Sequence, residues 1–349
     1  MTATVPRLDP SPALREFARR GDVISRDLGD PYRDLWSDVA ESTSGGKRFR
    51  PALLTATYLA YGGRDRRLAA DVGAAVELLH TAFVAHDDVI DGDRTRRGRP
   101  NVSGAAARRA RDAGAGEPGQ RAYADTAGIL AGDLALAGAL RAIALCGAPP
   151  ATLRRLYDLV DRAVHVSAAG ELADVGLSAG VGEATVEEVV AAAERKTAAY
   201  SFALPLQAGA LLAAAGPDVV ERLGDVGRLA GLAFQLQDDL IGTFGDEERS
   251  GKSRLTDLRQ GRVTLLVAHA RSTPQWASIA PLHGSSSLTP AQADRVCALL
   301  EESGSRRFVE DVARDRLEAA LRLAAEVGLP TELLDWLDDR TRGVLRQAA

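Results

Sequence analysis

Long stretches of this chain are apolar through successive turns of a helix, while the two-residue alternation of an exposed strand is scarce. Segments 67–91, 122–146, 151–176, 185–214, 217–242 and 259–270 are rich in Ala, Leu and Val at helical spacing. Several are apolar almost all round, which places them inside a large bundle rather than on its surface. Ser11-Pro12 reads as an N-cap with proline in the first turn of an amphipathic helix. Loops are predicted at 42–46, 94–104, 113–120, 176–182, 246–253 and 272–287. None is long or polar enough to act as a flexible linker between domains. The expectation is one all-α domain over residues 1–349, with 1–10 as a flexible N-terminus and an amphipathic helical tail from Thr289 to Ala349.

Composition narrows the function classes. A formal net charge of −5 is not the basic footprint of a nucleic-acid binder, so no such partner is expected. Cys146 and Cys297 cannot make a disulfide framework, and a reducing cytoplasm is the plain reading. The first twenty residues lack an apolar stretch of signal-peptide type. No run approaches the ~18 apolar residues that cross a bilayer, so no membrane span is predicted. Among 43 Lys and Arg residues only Lys47, Lys196 and Lys252 are lysine. Such scarcity suggests positions where a compact ammonium is needed rather than a planar guanidinium.

The chemistry concentrates in ELLHTAFVAHDDVIDGDRTRRGRP, residues 77–100. Asp87, Asp88 and Asp91 stand at i, i+1 and i+4, which stacks Asp87 over Asp91 on one helix face. Stacked carboxylates repel, and a divalent cation removes the conflict. Magnesium takes hard oxygen ligands and typically uses one or two carboxylates plus substrate phosphates. An acidic N-cap or a solvated patch is the plainer alternative. Against it stand Arg94, Arg96 and Arg97 directly downstream, because guanidinium forks bind phosphate oxygens with two donors.

A second cluster lies in LAFQLQDDLIGTFGD, with Asp238 and Asp239 one turn after Gln235. Helices bearing inward carboxylates can together hold several magnesium ions around one diphosphate. Gly242 occupies the i+4 position from Asp238, so a second full DDxxD is incomplete, and Asp246, one further turn on, is a candidate to supply an oxygen directly or through water. The three lysines fall beside these motifs. Lys47 sits in GGKRFRP with Arg50 three residues on, a possible separate anion site. Lys196 precedes Thr197 in ERKTAAY, and Lys252 follows Gly251.

In this order the motifs resemble the polyprenyl synthetase family, the trans-isoprenyl diphosphate synthases, over roughly residues 40–270. The motifs are GGKRFRP, HTAFVAHDDVID with RRGRP, Gly132-Asp133, GELAD at 170–174, Lys196-Thr197, and FQLQDD with Gly251-Lys252. The resemblance implies an all-α bundle around a central cavity, a homodimer, and condensation of isopentenyl diphosphate with an allylic diphosphate. It implies magnesium as cofactor, three ions with the bound diphosphate, held by Asp87, Asp91 and Asp238 with Asp88 and Asp239 supporting. It further implies Arg96, Lys196 and Lys252 at the allylic diphosphate and Lys47, Arg50, His80 and Arg97 at isopentenyl diphosphate. Thr197 and Gln235 would stand near the reacting carbons, with Tyr200 lining the pocket nearby.

Three positions depart from the family pattern. Gly242 replaces the last aspartate of the second motif, Arg262 stands where lysine is usual and keeps the charge as a substrate-binding group, and Glu171 replaces glutamine. The pattern is most similar to bacterial geranylgeranyl-type synthases. Phe83 lies one turn before Asp87, beside the small Ala82, at positions where bulky groups in the family act as a floor for the growing chain. A twenty-carbon product is expected, with farnesyl or longer chains as alternatives. A class I terpene cyclase would carry an Asn/Ser/Glu metal triad in place of Asp238-Asp239. A non-catalytic subunit would have lost its aspartate or arginine motifs.

Overall fold

The structure is a computed structural model and describes residues 8–245 and 258–334. These residues divide into two compact units, one of residues 6–157 with 208–215, the other of 158–207 with the chain from 216 onward.

The first unit carries α1 (Ser11–Ser25), α2 (Asp30–Ser42), α3 (Phe49–Ala60), α4 (Arg66–Ile90), α5 (Val102–Asp112) and α6 (Glu117–Ala144). Helix α4 is its centre. Asp65 caps it, accepting from the N–H groups of Arg67 (3.1 Å) and Leu68 (3.0 Å). Thirteen of its residues are buried, from Ala69 to Asp88. Helix α6 lies against it through small residues. A Cβ at Gly128 would collide with Val89 and Ser103, and one at Gly132 with the His86 ring. This explains the glycine of the Gly132-Asp133 motif, since any side chain there would occupy the space of the His86 ring. His86 completes the contact, its Nε2 lying 3.2 Å from the Ile129 carbonyl.

Segment 94–104 is more ordered than a loop. Thr95–Arg96 and Arg99–Pro100 form a two-stranded antiparallel ribbon, β1 and β2, and α5 begins already at Val102. The turn between the strands is Arg97-Gly98, both with positive φ (54° and 73°). A two-residue hairpin of this type needs left-handed backbone at both positions, normally Asn-Gly. Arginine at the first costs about 1–2 kcal/mol, which marks it as retained for its side chain.

The second unit holds most of α7 (Pro150–Ser178), then α8 (Val186–Ala193), a π-helix (Glu194–Ala203), the start of α9 (Leu204–Leu212) and α10 (Pro217–Phe244). Among the described residues there follow α11 (Leu265–Ala270), α12 (Trp276–Ile279), α13 (Pro290–Glu302) and α14 (Ser305–Glu326), with a 3-10 turn at Thr331–Leu333. Its core joins Leu232, Leu236 and Leu240 of α10 to Leu266, Val296, Leu300 and Val309. The predicted helix over 259–270 is shorter than expected. The chain turns at Gly261 (φ 68°), and α11 starts only at Leu265.

One expectation from sequence needs correction. By length and composition α4 and α6 are both apolar enough to cross a membrane, each with an 18-residue window of mean hydropathy 1.5. In α4 that window is 61% buried inside the protein, as befits a core helix, and in α6 it is 44%. The aliphatic runs were underestimated because single Gly, Asp and Thr residues interrupt them without lowering the average much.

Candidate active site

In the first unit, the α4 aspartates stand where the sequence pattern predicts. Asp87 and Asp88 belong to the last turn of α4. Asp91 caps its end in right-handed helical conformation, its N–H donating to the Asp87 carbonyl (2.8 Å). Asp87 and Asp91 are therefore successive on one face. Asp88 points elsewhere and is buried, accepting from Arg96 Nε (3.1 Å) and Nη2 (2.6 Å). Burial pushes the Asp88 carboxyl up, while the Arg96 hydrogen bond pulls it back. Arg96 also reaches Asp87 Oδ2 at 3.7 Å. Arg94, by contrast, turns to α6 and pairs with Asp125 at 2.8 Å, so it supports the fold of the hairpin.

The basic residues gather beneath this cluster. The loop before α3 has Gly45 and Gly46 at φ 79° and 73°, and Arg48 at φ 45° caps α3 in the left-handed region. Lys47 in this loop is exposed. A Cβ on Gly46 would come 3.4 Å from the Arg97 guanidinium, so the loop and the hairpin tip abut. Arg50 is buried, its guanidinium 4.4 Å from the Phe49 ring centroid. His80 lies close to Arg50, Arg96 and Arg97. Burial, and then these three charges, hold its imidazole well below the usual histidine range, so it is neutral at pH 7.

Two members of this group were missed in the sequence. Glu77 is buried on α4 one turn before His80, with Oε2 lacking a hydrogen-bond partner. Burial pushes its carboxyl up, and Arg50, Arg48 and Arg97 oppose this. Arg48 joins the group through its helix-capping position. A lone glutamate inside an apolar helix was the available signal for Glu77. Arg48 gave none, because its side-chain environment depends on the left-handed turn.

Above the basic cluster on α4, Ala82 is fully buried and Phe83 partly exposed. Phe83 shares its face with Asp87.

In the second unit, three separate segments converge. Lys196 Nζ donates to Glu171 Oε1 (3.0 Å) and Asp174 Oδ2 (2.9 Å) of α7. Thr197 Oγ1 donates to Gln235 Oε1 (2.7 Å), and Gln235 Nε2 to Asp239 Oδ1 (2.9 Å). Glycines make this possible. A Cβ on Gly170 would strike the Lys196 backbone, and Cβ atoms on Gly227 and Gly231 would strike Ala203 and Ala198. Both α7 and α10 thus meet the π-helix backbone to backbone. Such i→i+5 segments are rare and frequent at functional sites.

Asp238, half-buried, is on α10, which runs on through Gly242 and ends at Gly245. Arg262 precedes α11, with Nε on Gln260 Oε1 (2.9 Å) and its carbonyl 3.1 Å from His283 Nε2. Tyr200 lies in the π-helix. Lys252 and Asp246 lie outside the described residues.

Among the described residues no three His, Cys, Asp or Glu side chains form a closed metal cage. The carboxylate pair of Asp87 and Asp91 fits magnesium all the same, because this ion keeps few protein ligands and completes its shell with water and phosphate.

The model of the family described as polyprenyl synthetase matches residues 35–300. A geranylgeranyl diphosphate synthase of Sulfolobus acidocaldarius is 36% identical over 227 residues, 64% of this chain and 63% of that relative. The chain thus spans just under two thirds of that relative. A (2E,6E)-farnesyl diphosphate synthase of Mycobacterium tuberculosis is 31% identical over 97% of this chain and 90% of its own length. Among solved structures, the geranylgeranyl pyrophosphate synthase of Corynebacterium glutamicum, complexed with isoprenyl diphosphate and magnesium, superposes with a TM-score of 0.87. It is 29% identical, with 96% of this chain and 98% of that chain covered.

Proposed function

The chain belongs to the polyprenyl synthetase family, and we propose that it is a divalent-metal-dependent trans-prenyltransferase joining isopentenyl diphosphate to an allylic diphosphate, that its product is geranylgeranyl diphosphate and that the residues above divide the work. Asp87, Asp91 and Asp238 would hold magnesium, as three ions with the bound diphosphate, and the metal would supply the charge neutralisation that makes diphosphate a leaving group. Arg96, Lys196 and Lys252 hold the allylic diphosphate, and Asp88 and Asp239 fix the orientation of Arg96 and Gln235. Lys47, Arg50, His80 and Arg97 hold isopentenyl diphosphate, with Arg262 as a further cationic contact. Thr197, Gln235 and Tyr200 border the allylic cation. The isopentenyl double bond attacks that cation, and the proton is lost to the departing diphosphate. No side-chain base is required; orientation and charge stabilisation carry the rate.

The observation that carries this assignment is the α4 cluster. A stacked carboxylate pair adjoins Arg96, and Arg48, Arg50 and Arg97 surround a buried glutamate and a neutral histidine. Support for twenty carbons comes from Phe83 on the Asp87 face beside an alanine, and from the named activities of two relatives. One catalytic domain is proposed because the family match runs through both units. A homodimer is proposed because α6 exposes Tyr123, Ile129, Leu130 and Leu140 along one side. Two cysteines, too few for a disulfide framework, accord with a cytoplasmic location.

The test is a product assay. The enzyme receives isopentenyl diphosphate and five-, ten- or fifteen-carbon allylic primers, with and without magnesium, and the dephosphorylated products are sized. A magnesium-dependent twenty-carbon alcohol is expected. A fifteen-carbon or longer product would overturn the length, and no elongation would overturn the roles.

A further inference from the structure

Within the first unit a cavity of about 900 Å³ opens between α1, α4 and α6. Its volume falls in the range of small-molecule sites, about 300–1,000 Å³. It lies away from the aspartate face. Ala74 and Leu78 line it, and each stands nine residues before a residue of the catalytic face, Phe83 and Asp87 respectively. Nine residues are two and a half helical turns, so each pair projects from opposite sides of α4.

The lining is polarised. At one end it is apolar, with Leu8, Phe17, Ala74 and Leu78 buried around Gly138. At the other stand Arg66 and Arg67, while Arg20 and Arg141 join from α1 and α6. Leu78 to Arg67 spans eleven residues of α4, about 16 Å at 1.5 Å per residue. Three carboxylates also line the cavity, two of them held by groups outside it. Asp9 accepts from the Ser11 N–H (2.9 Å), and Glu16 from Arg19 Nε (2.8 Å). Asp71 stands 3.7 Å from Arg67. Cationic groups therefore prevail at the rim.

We propose that this cavity is a second ligand site, separate from the prenyl-transfer centre, for a hydrocarbon chain bearing an anionic headgroup. The chain would lie along α1 and α4 towards Leu78, and the headgroup would meet the arginines, which bind phosphate or carboxylate oxygens as forks. Prenyl diphosphates and fatty acids share this chemistry.

Cys146 lines the cavity and reports on it. Cys297→Ser keeps a donor for the Thr243 carbonyl and leaves Cys146 as the single thiol. The full-length protein is alkylated with iodoacetamide in EDTA, where metal-dependent diphosphate binding is absent. Dodecyl phosphate at about ten times its half-saturating concentration should slow Cys146 labelling about tenfold. Dodecanol should act far more weakly, and inorganic diphosphate not at all. Ala142→Trp, which fills the cavity, should abolish protection. The triple surface variant Arg66→Ser, Arg67→Ser, Arg141→Ser should weaken it while leaving magnesium-dependent prenyl transfer intact. Parallel arms with farnesyl diphosphate and laurate identify the source as isoprenoid or fatty-acyl. The proposal is overturned if no probe protects Cys146, if protection requires magnesium, if dodecanol protects equally, or if both variants behave like the parent.

Discussion

The aspartate helix of the first unit and that of the second carry similar motifs in opposite electrostatic settings. Around α4 four arginines, Arg48, Arg50, Arg96 and Arg97, gather about Glu77, His80 and the aspartates. Beside α10, Lys196 is already shared between Glu171 and Asp174, and Gln235 is engaged by Thr197 and Asp239. The first set is built to receive an anion. In the second, a diphosphate bound as proposed would have to replace carboxylates that hold the lysine beforehand. One motif thus sets several arginines about its acidic groups, whereas the other has its lysine paired to two carboxylates.

The most severe test removes the proposed metal ligands. Asp87→Ala and Asp238→Ala should each lower kcat/KM by about 10³, the scale of losing a preorganised charge-stabilising group. Steady-state product formation would measure it. Equal losses mean that both motifs act on one leaving group; a mild effect at Asp238 would make the α10 cluster ancillary.

Arg50→Ser should raise the KM for isopentenyl diphosphate by about 10–100-fold, the value of a charge-assisted hydrogen bond, with the allylic KM unchanged. Equal shifts for both substrates would blur the division between the two settings.

Gly170→Ala forces α7 off the Lys196 backbone. It should cost about 1–3 kcal/mol of stability as an overpacked contact, read by denaturant unfolding. Glu171→Gln removes one of the charges that compete for Lys196, and the allylic KM should fall by a few-fold, within the roughly 0.2–1 kcal/mol of a partly exposed pair. A rise instead would mean that Glu171 orients the lysine for binding.

The smallest effect concerns pH. His80 is held neutral in the fold, whereas in the unfolded chain it gains a proton below about pH 6.5. The unfolded state then binds more protons, so the metal-free protein should lose stability as pH falls through that value. His80→Asn should flatten this slope in urea titrations at pH 5 and 7; an unchanged slope would place the titration elsewhere.

The same contrast governs what could be read in the sequence. The α4 aspartates, His80 and the arginines after them fall within 24 consecutive residues, 77–100, so their grouping follows from local spacing, while Arg48 and Arg50 join from the segment before α3. Even there, the diversion of Arg94 to Asp125 depends on α6 and was not legible. The α10 site draws on residues 170–174, 196–200 and 235–239, brought together by glycines whose role is evident only in packing. Ten residues of ERKTAAYSFA cannot distinguish i→i+4 from i→i+5 bonding by periodicity, so a π-helix read as part of one long helix. The hairpin was hidden for another reason, since strands of two residues leave no alternation to detect.

The π-helix makes residue number itself part of the site. With its bonds closing one residue later than in an α-helix, each turn takes up about one residue more than 3.6. Excising one residue between Glu194 and Ala203 would let the segment relax towards ordinary winding and rotate one flank by about 100° against the other. Either Lys196 and Thr197 would turn from their partners, or Phe202 and Leu204 would leave the core. Conservative exchanges along this stretch keep its phase; a change of length does not. Homologous variation here should therefore run through substitutions and avoid insertions and deletions.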